Sequence, residues 1–275
     1  MGIFNRLFKN NRKPESTTAQ QKGADGIEKL NEVQMALAAS FYEKKEYKQA
    51  FNSYKLIAEN SDHSEAQYNL GSLYAQGLGT EQDFVRAAYW FNKAYKNGNK
   101  EADRLTAKSM LDYIKQLSSA STEELFKKAM AFVKYVYEPA DAVSFVNQKL
   151  QFIGAHYCNN LHEYEMAARL FRAGAQFGND PMCQNYLAVL YNAGAGVEKH
   201  DLISLYWFDK ASDQGVEEAK KDRDGILNAY IDNLGKQETA EQLKILADWC
   251  ANGTNREIPP DEEKARYWSN VISAL

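Results

Sequence analysis

A repeat of the chain's own sequence, at a fixed offset of 117 residues, constrains the fold more than any other feature. Leu70-Gly71-Ser72-Leu73-Tyr74-Ala75-Gln76-Gly77-Leu78-Gly79 returns as Leu187-Ala188-Val189-Leu190-Tyr191-Asn192-Ala193-Gly194-Ala195-Gly196. Tyr89-Trp90-Phe91-Asn92-Lys93-Ala94 returns, without a gap, as Tyr206-Trp207-Phe208-Asp209-Lys210-Ala211. The register extends outward. Ala38, Tyr47, Ala50 and Ala58 match Ala155, Tyr164, Ala167 and Ala175, and Tyr113, Ile114, Leu117 and Thr122 match Tyr230, Ile231, Leu234 and Thr239. A shared register this long implies a tandem duplication. The expected organisation is a tail and linker over 1–26, unit one over 27–147, and unit two with a further C-terminal hairpin over 148–275.

The spacing inside each block is helical. Leu70, Leu73 and Tyr74 fall three and four apart, as do Ala87, Trp90, Phe91 and Ala94, which places each set on one face. Gly71 and Ala188 allow a partner helix to approach closely. Gly77 and Gly194 stand where a left-handed residue can end a helix. Ser121 or Thr122 before Glu123-Glu124, and Asp261 before Glu262-Glu263, read as helix starts. A hairpin of two such helices cannot bury its apolar stripe alone, so it stacks on its neighbours. The expectation is an all-α, right-handed solenoid of antiparallel hairpins with about twelve or thirteen helices and no sheet.

These residues resemble two related repeat families. Leu37, Ala38, Phe41, Tyr47, Ala50 and Tyr54, with Ala155, Cys158, Tyr164, Ala167 and Phe171 in the second block, sit at tetratricopeptide-like packing positions. The family's usual glycine before the turn aromatic is replaced by Lys45 and His162. Leu-Gly-x-Leu-Tyr, Gly-x-Gly, Ala and Trp-Phe-x-Lys-Ala, from Leu70 to Ala94, resemble a Sel-one-like repeat, and the second block repeats the pattern. A looser third copy has Leu246-Ala247, Cys250, Gly253, Asp261, Ala265 and Trp268. The resemblance implies a protein–protein adaptor or scaffold that holds a peptide or protein segment in a concave groove. A bacterial immunity or inhibitor protein that neutralises a toxin is a second implication.

Carrying the tetratricopeptide groove positions onto this chain gives Glu32, Met35, Ala39, Tyr42 and Glu43, then Glu65, Tyr68, Ser72 and Gln76. In the second block they become Phe152, His156, Asn159 and Asn160, then Asn185, Val189 and Asn192. Asn and Gln side chains can pair with the backbone of an extended peptide, and Tyr adds apolar area with a polar tip. Singly exposed side chains of this kind are equally what a plain solvated helix face offers.

Other chemistries find little footing. The Gly-x-Gly pairs follow a helix, whereas a nucleotide-binding glycine loop needs a preceding strand. His156 and His162 are six apart, poor spacing for two metal ligands on one helical face, and no Cys-x-x-Cys accompanies them. No nucleophile elbow, His-Glu-x-x-His helix or Walker loop occurs, so the expectation is no enzyme, cofactor or metal. A net charge of −4 argues against a nucleic-acid binder. The three cysteines, Cys158, Cys183 and Cys250, are odd in number and far apart, which suits a reducing, cytoplasmic setting. Residues 1–13 carry Arg6, Lys9, Arg12 and Lys13 and no acid. If helical, Ile3, Phe4, Leu7 and Phe8 form an apolar stripe that could lie on an anionic membrane and tether an organiser there. A frayed tail is the plainer alternative, since a short single stripe binds weakly.

Overall fold

A computed structural model describes residues 16–254 and 257–275, with side chains from residue 30 onward. Among these residues the chain is helical throughout and has no strand. The order is α1 (Ser16–Glu43), α2 (Tyr47–Asn60), α3 (Ser64–Gln76), α4 (Phe84–Lys96), α5 (Ala102–Gln116), α6 (Thr122–Tyr137) and α7 (Ala142–His156). A π-helical turn at Tyr157–Leu161 follows. Then come α8 (Tyr164–Phe177), α9 (Pro181–Ala193), α10 (Asp201–Asp213), α11 (Glu217–Asn252) and α12 (Glu262–Ala274). Within α11, Gly235 has φ 77 and ψ 170, so that element is two helices joined at a break. The expected all-α class and helix number are therefore found. Residues 1–13, the expected amphipathic tail, lie outside the described residues.

The helices begin and end where local chemistry directs. The side chains of Asp83, Ser121, Asp141, Asp180 and Asp261 each accept a backbone N–H from the first turn of α4, α6, α7, α9 and α12. These caps satisfy donors that no helical carbonyl can reach. Gly77 and Gly194 close α3 and α9 in the left-handed region, at φ 69 and 67.

The chain forms two compact units, one ending at Met110 and the other beginning at Leu111, a division that falls within α5. In the first, α1 pairs with α2, α2 with α3, and α3 with α4. Ala38, Ala50, Tyr54, Leu70, Tyr74, Trp90 and Phe91 form one buried cluster. In the second, α8 packs on α6, α7 and α9, and α10 lies between α9 and α11. Trp207, Trp268, Tyr206 and Phe208 are almost wholly buried there. The Trp and Tyr positions of the repeats are thus core, as their periodicity predicts.

The residue ranges of α8, α9 and α10 are those of α2, α3 and α4 displaced by 117 at both ends. Two packing expectations fail. Leu37 is half exposed, because its neighbours Ala38, Met35 and Phe41 are the residues turned towards the core. Met35, expected on an open groove, packs against that core instead.

Candidate functional site

The residues carried over as partner-binding fall on two surfaces, one per unit. In the first unit Tyr42, Glu43 and Gln76 are exposed. Tyr42 meets Tyr47 edge-on at 5.5 Å. Burial, then Glu65, Tyr42 and Glu43, raise the pKa of the Tyr54 phenol, so acids from α1 and α3 converge on one tyrosine. Tyr68 is less open than expected: it is half-buried, edge-on to Phe91 at 5.7 Å. The Ser72 hydroxyl donates to the Tyr68 carbonyl at 3.1 Å and so is partly occupied.

In the second unit α7 touches α9. On α7 and the π turn, Phe152 is 67 % exposed, His156 is half-buried, and Asn159 and Asn160 are exposed. On α9, Val189 and Asn192 are exposed. Asn185 corrects the expectation of an open position, since it is only 5 % exposed. Its helix is enclosed by α7, α8 and α10, so less of its circumference is free than in an isolated hairpin.

A concavity that the sequence did not signal lies within the second unit. It has a volume of about 1210 Å³ and draws its walls from residues 120–123, one face of α8, the loop into α10, and the loop between α11 and α12. None of the sixteen carried-over residues lines it. Glu165, Arg169, Arg172 and Gln176 present themselves to it at the helical three-and-four spacing. The opposite face of α8 buries Leu170, Phe171 and Ala167.

Both arginines are engaged in the wall. Arg169 donates to the carbonyls of Leu117, Ser118 and Ala120, which closes the turn before α6. Arg172 pairs with Glu257 at 3.0 Å and donates to the Tyr191 hydroxyl at 2.6 Å, while that hydroxyl donates to Glu257. Burial, and then Glu257, push the Tyr191 phenol pKa well up, so it stays a hydrogen-bond donor. Tyr191 is legible in the sequence as core. Its hydroxyl's place in this clasp is not, because Glu257 lies 66 residues away.

Among the described residues, no three or more His, Cys, Asp or Glu side chains, those of His156, Cys158 and His162 included, come together in a group that could hold a metal ion. Burial raises the Cys158 thiol pKa. It also pushes Cys250 up to about 12, helped by Asp261 and Asp209, so these are poor nucleophiles. No helix among the described residues is long and apolar enough to cross a membrane.

With this geometry in view, the comparisons with known proteins bear on its repeats. Residues 64–99, 181–216 and 245–270 match the model of the Sel1 repeat. No curated protein matches the chain. Among solved structures, one similar chain is the Sel1 repeat protein from Oxalobacter formigenes. It is 21 % identical over 89 % of this chain and 87 % of that one, at a TM-score of 0.27. Another is c5321, a protective antigen present in uropathogenic Escherichia coli strains displaying an SLR fold. It is 19 % identical over 90 % of this chain and 54 % of that one, at a TM-score of 0.33. The matched segments coincide with α3–α4, with α9–α10 and with the end of α11 plus most of α12, so the chain carries three Sel1 repeats.

Proposed function

We propose that the chain is a protein–protein interaction adaptor or scaffold, and not an enzyme, whose partner lays a peptide or protein segment along the exposed first-helix faces. Sel1 repeats in general act as protein-interaction scaffolds. The observation that carries the reading is Phe152. A phenyl ring two-thirds exposed on α7 stands four residues before His156 and seven before Asn159. Water gains nothing from such a ring, whereas a partner that buries it gains roughly 1.5–3 kcal/mol. Polar neighbours around one apolar anchor are the usual anatomy of a small recognition surface.

The test is affinity capture of partners from the native cell by the tagged full-length chain, read by mass spectrometry. The comparison is a variant carrying Phe152→Ala, Asn159→Ala and Asn192→Ala. Expected is loss of the principal captured protein with an unchanged thermal melt. Retention of that protein at wild-type yield would reject the reading.

A further inference from the structure

The concavity of the second unit has its own charge pattern, separate from the first-helix faces. Among the described residues lining it, four carboxylates, Glu123, Glu165, Glu198 and Glu257, face two guanidinium groups, Arg169 and Arg172. Four of these six are already committed. Arg169 is spent on backbone carbonyls and Arg172 on Glu257. Glu123 is paired with Lys127 at 2.5 Å. An incoming carboxylate would have to displace Glu257 from a largely buried arginine, which strands a charge. Glu165 and Glu198 are different: both are exposed, and neither is ion-paired with another described residue. Among the described residues, the cleft therefore offers two carboxylates outside any ion pair and no lysine or arginine left unpaired.

Backbone packing brings these two acids to one wall. Gly196, at φ 69, lies directly on the backbone of Tyr164 and Glu165, and a Cβ there would overlap the Glu165 nitrogen. Only glycine lets the loop that carries Glu198 settle onto the start of α8. The first unit has the same contact, Gly79 on Tyr47 and Lys48, but the register position of Glu165 is a lysine there. The negative wall is thus a property of the second unit alone. Apolar surface accompanies it: Phe177 is 43 % exposed, and Pro259 is exposed on the opposite loop.

We propose that this cleft is a second binding site, which takes an extended Lys- or Arg-bearing peptide segment of a partner protein. The segment's cations pair with Glu165 and Glu198, and its apolar side chains lie on Phe177 and Pro259. The choice of occupant follows from charge complementarity, and steering of this kind weakens with salt.

The test uses the full chain and a blocked, fluorescein-labelled peptide of repeating Lys-Pro-Leu, read by fluorescence anisotropy, with Glu-Pro-Leu as its counterpart. The lysine peptide binds, less tightly as salt rises, and the glutamate peptide does not. Glu165→Gln with Glu198→Gln lowers affinity about threefold or more, with the thermal melt unchanged. Glu238→Gln with Glu241→Gln, exposed acids on α11, leaves affinity as it was, as does Phe152→Ala on the other surface. Equal binding of both peptides, unchanged affinity in the Glu165/Glu198 variant, or an equal loss in the α11 control would overturn the proposal.

Discussion

Lys45 and His162 occupy matching register positions and share an unusual backbone. Both are in the left-handed region, at φ 61 and φ 56, between the paired helices of a hairpin. The sequence identifies these as places where related repeats use glycine, and the structure supplies the reason: the turn needs a conformation in which a Cβ crowds the following carbonyl. Both side chains are exposed, and His162 only lies beside the exposed Tyr164 ring, 6.2 Å between centroids. Lys45→Gly and His162→Gly should each raise stability by about 0.5–1 kcal/mol, the relieved strain less the extra unfolded-chain entropy of glycine. The readout is a higher urea midpoint at unchanged slope. Residue-scale features were legible where their cause is local, as at Ser121, Asp261, Gly77 and Trp207. They were not legible at Asn185 or Met35, where a third helix or the turn of one helix against another decides burial.

The elements were legible because hairpins advertise themselves through three-and-four spacing and cap chemistry. The break at Gly235 and the π turn before α8 were not, since each depends on how the flanking helices must be aimed. The ionic lock on α12 was equally hidden. Asp209, wholly buried on α10, pairs with Arg223 of α11 at 2.8 Å and with Lys264 of α12 at 2.5 Å, and Lys264 also reaches Asp213. Lys210 of α10 pairs with Asp261 at 2.9 Å. Burial alone would lower the Lys264 pKa, but its hydrogen bonds to Asp209 and Asp213 outweigh this and raise it. Burial alone would raise the Asp261 pKa, but Lys210 and the Lys264 backbone hold it below the usual value. A raised lysine contributes stability that is complete below its unfolded pKa near 10.4 and is lost as pH climbs through the folded value. A lowered aspartate contributes stability that is complete above about pH 4 and is lost as pH falls through its folded value. Lys264→Met should therefore cost about 3–5 kcal/mol near neutrality, the penalty of half-stranding a buried carboxylate. In urea titrations from pH 3 to pH 11, the gap to wild type should narrow above about pH 10.5. A gap independent of pH would mean that Lys264 acts through its aliphatic stem alone.

At the scale of the whole molecule, the repeated register makes a demanding forecast. We infer that the blocks containing α2–α4 and α8–α10 are interchangeable neighbours for a preceding helix. Buried positions of α2, such as Ala50, Tyr54 and Ala58, have Ala167, Phe171 and Ala175 at the same places on α8, and all six are buried. Removing residues 47–163, one full period, joins Glu46 to Tyr164 and sends α1 directly into α8 with the register of the buried stripe kept, though the α6 face that packs on α8 is lost. Such a chain should remain helical by circular dichroism and unfold in one cooperative transition, though less stably, because Phe171 must seat in a surface shaped for Tyr54. Cutting two residues more or fewer at the same junction turns the α8 stripe by roughly 200°, at about 100° per residue, and points Leu170 and Phe171 at solvent. That chain should lose its cooperative melt and bind hydrophobic dyes. The cleft, by contrast, has no counterpart in the repeat pattern. Its walls come from four separated stretches, and one of its two free acids stands where the blocks differ, Glu165 against Lys48, while the other, Glu198, matches Glu81. If in-register and out-of-register deletions unfold alike, the shared spacing reflects only similar helix lengths, and the two blocks are not exchangeable units.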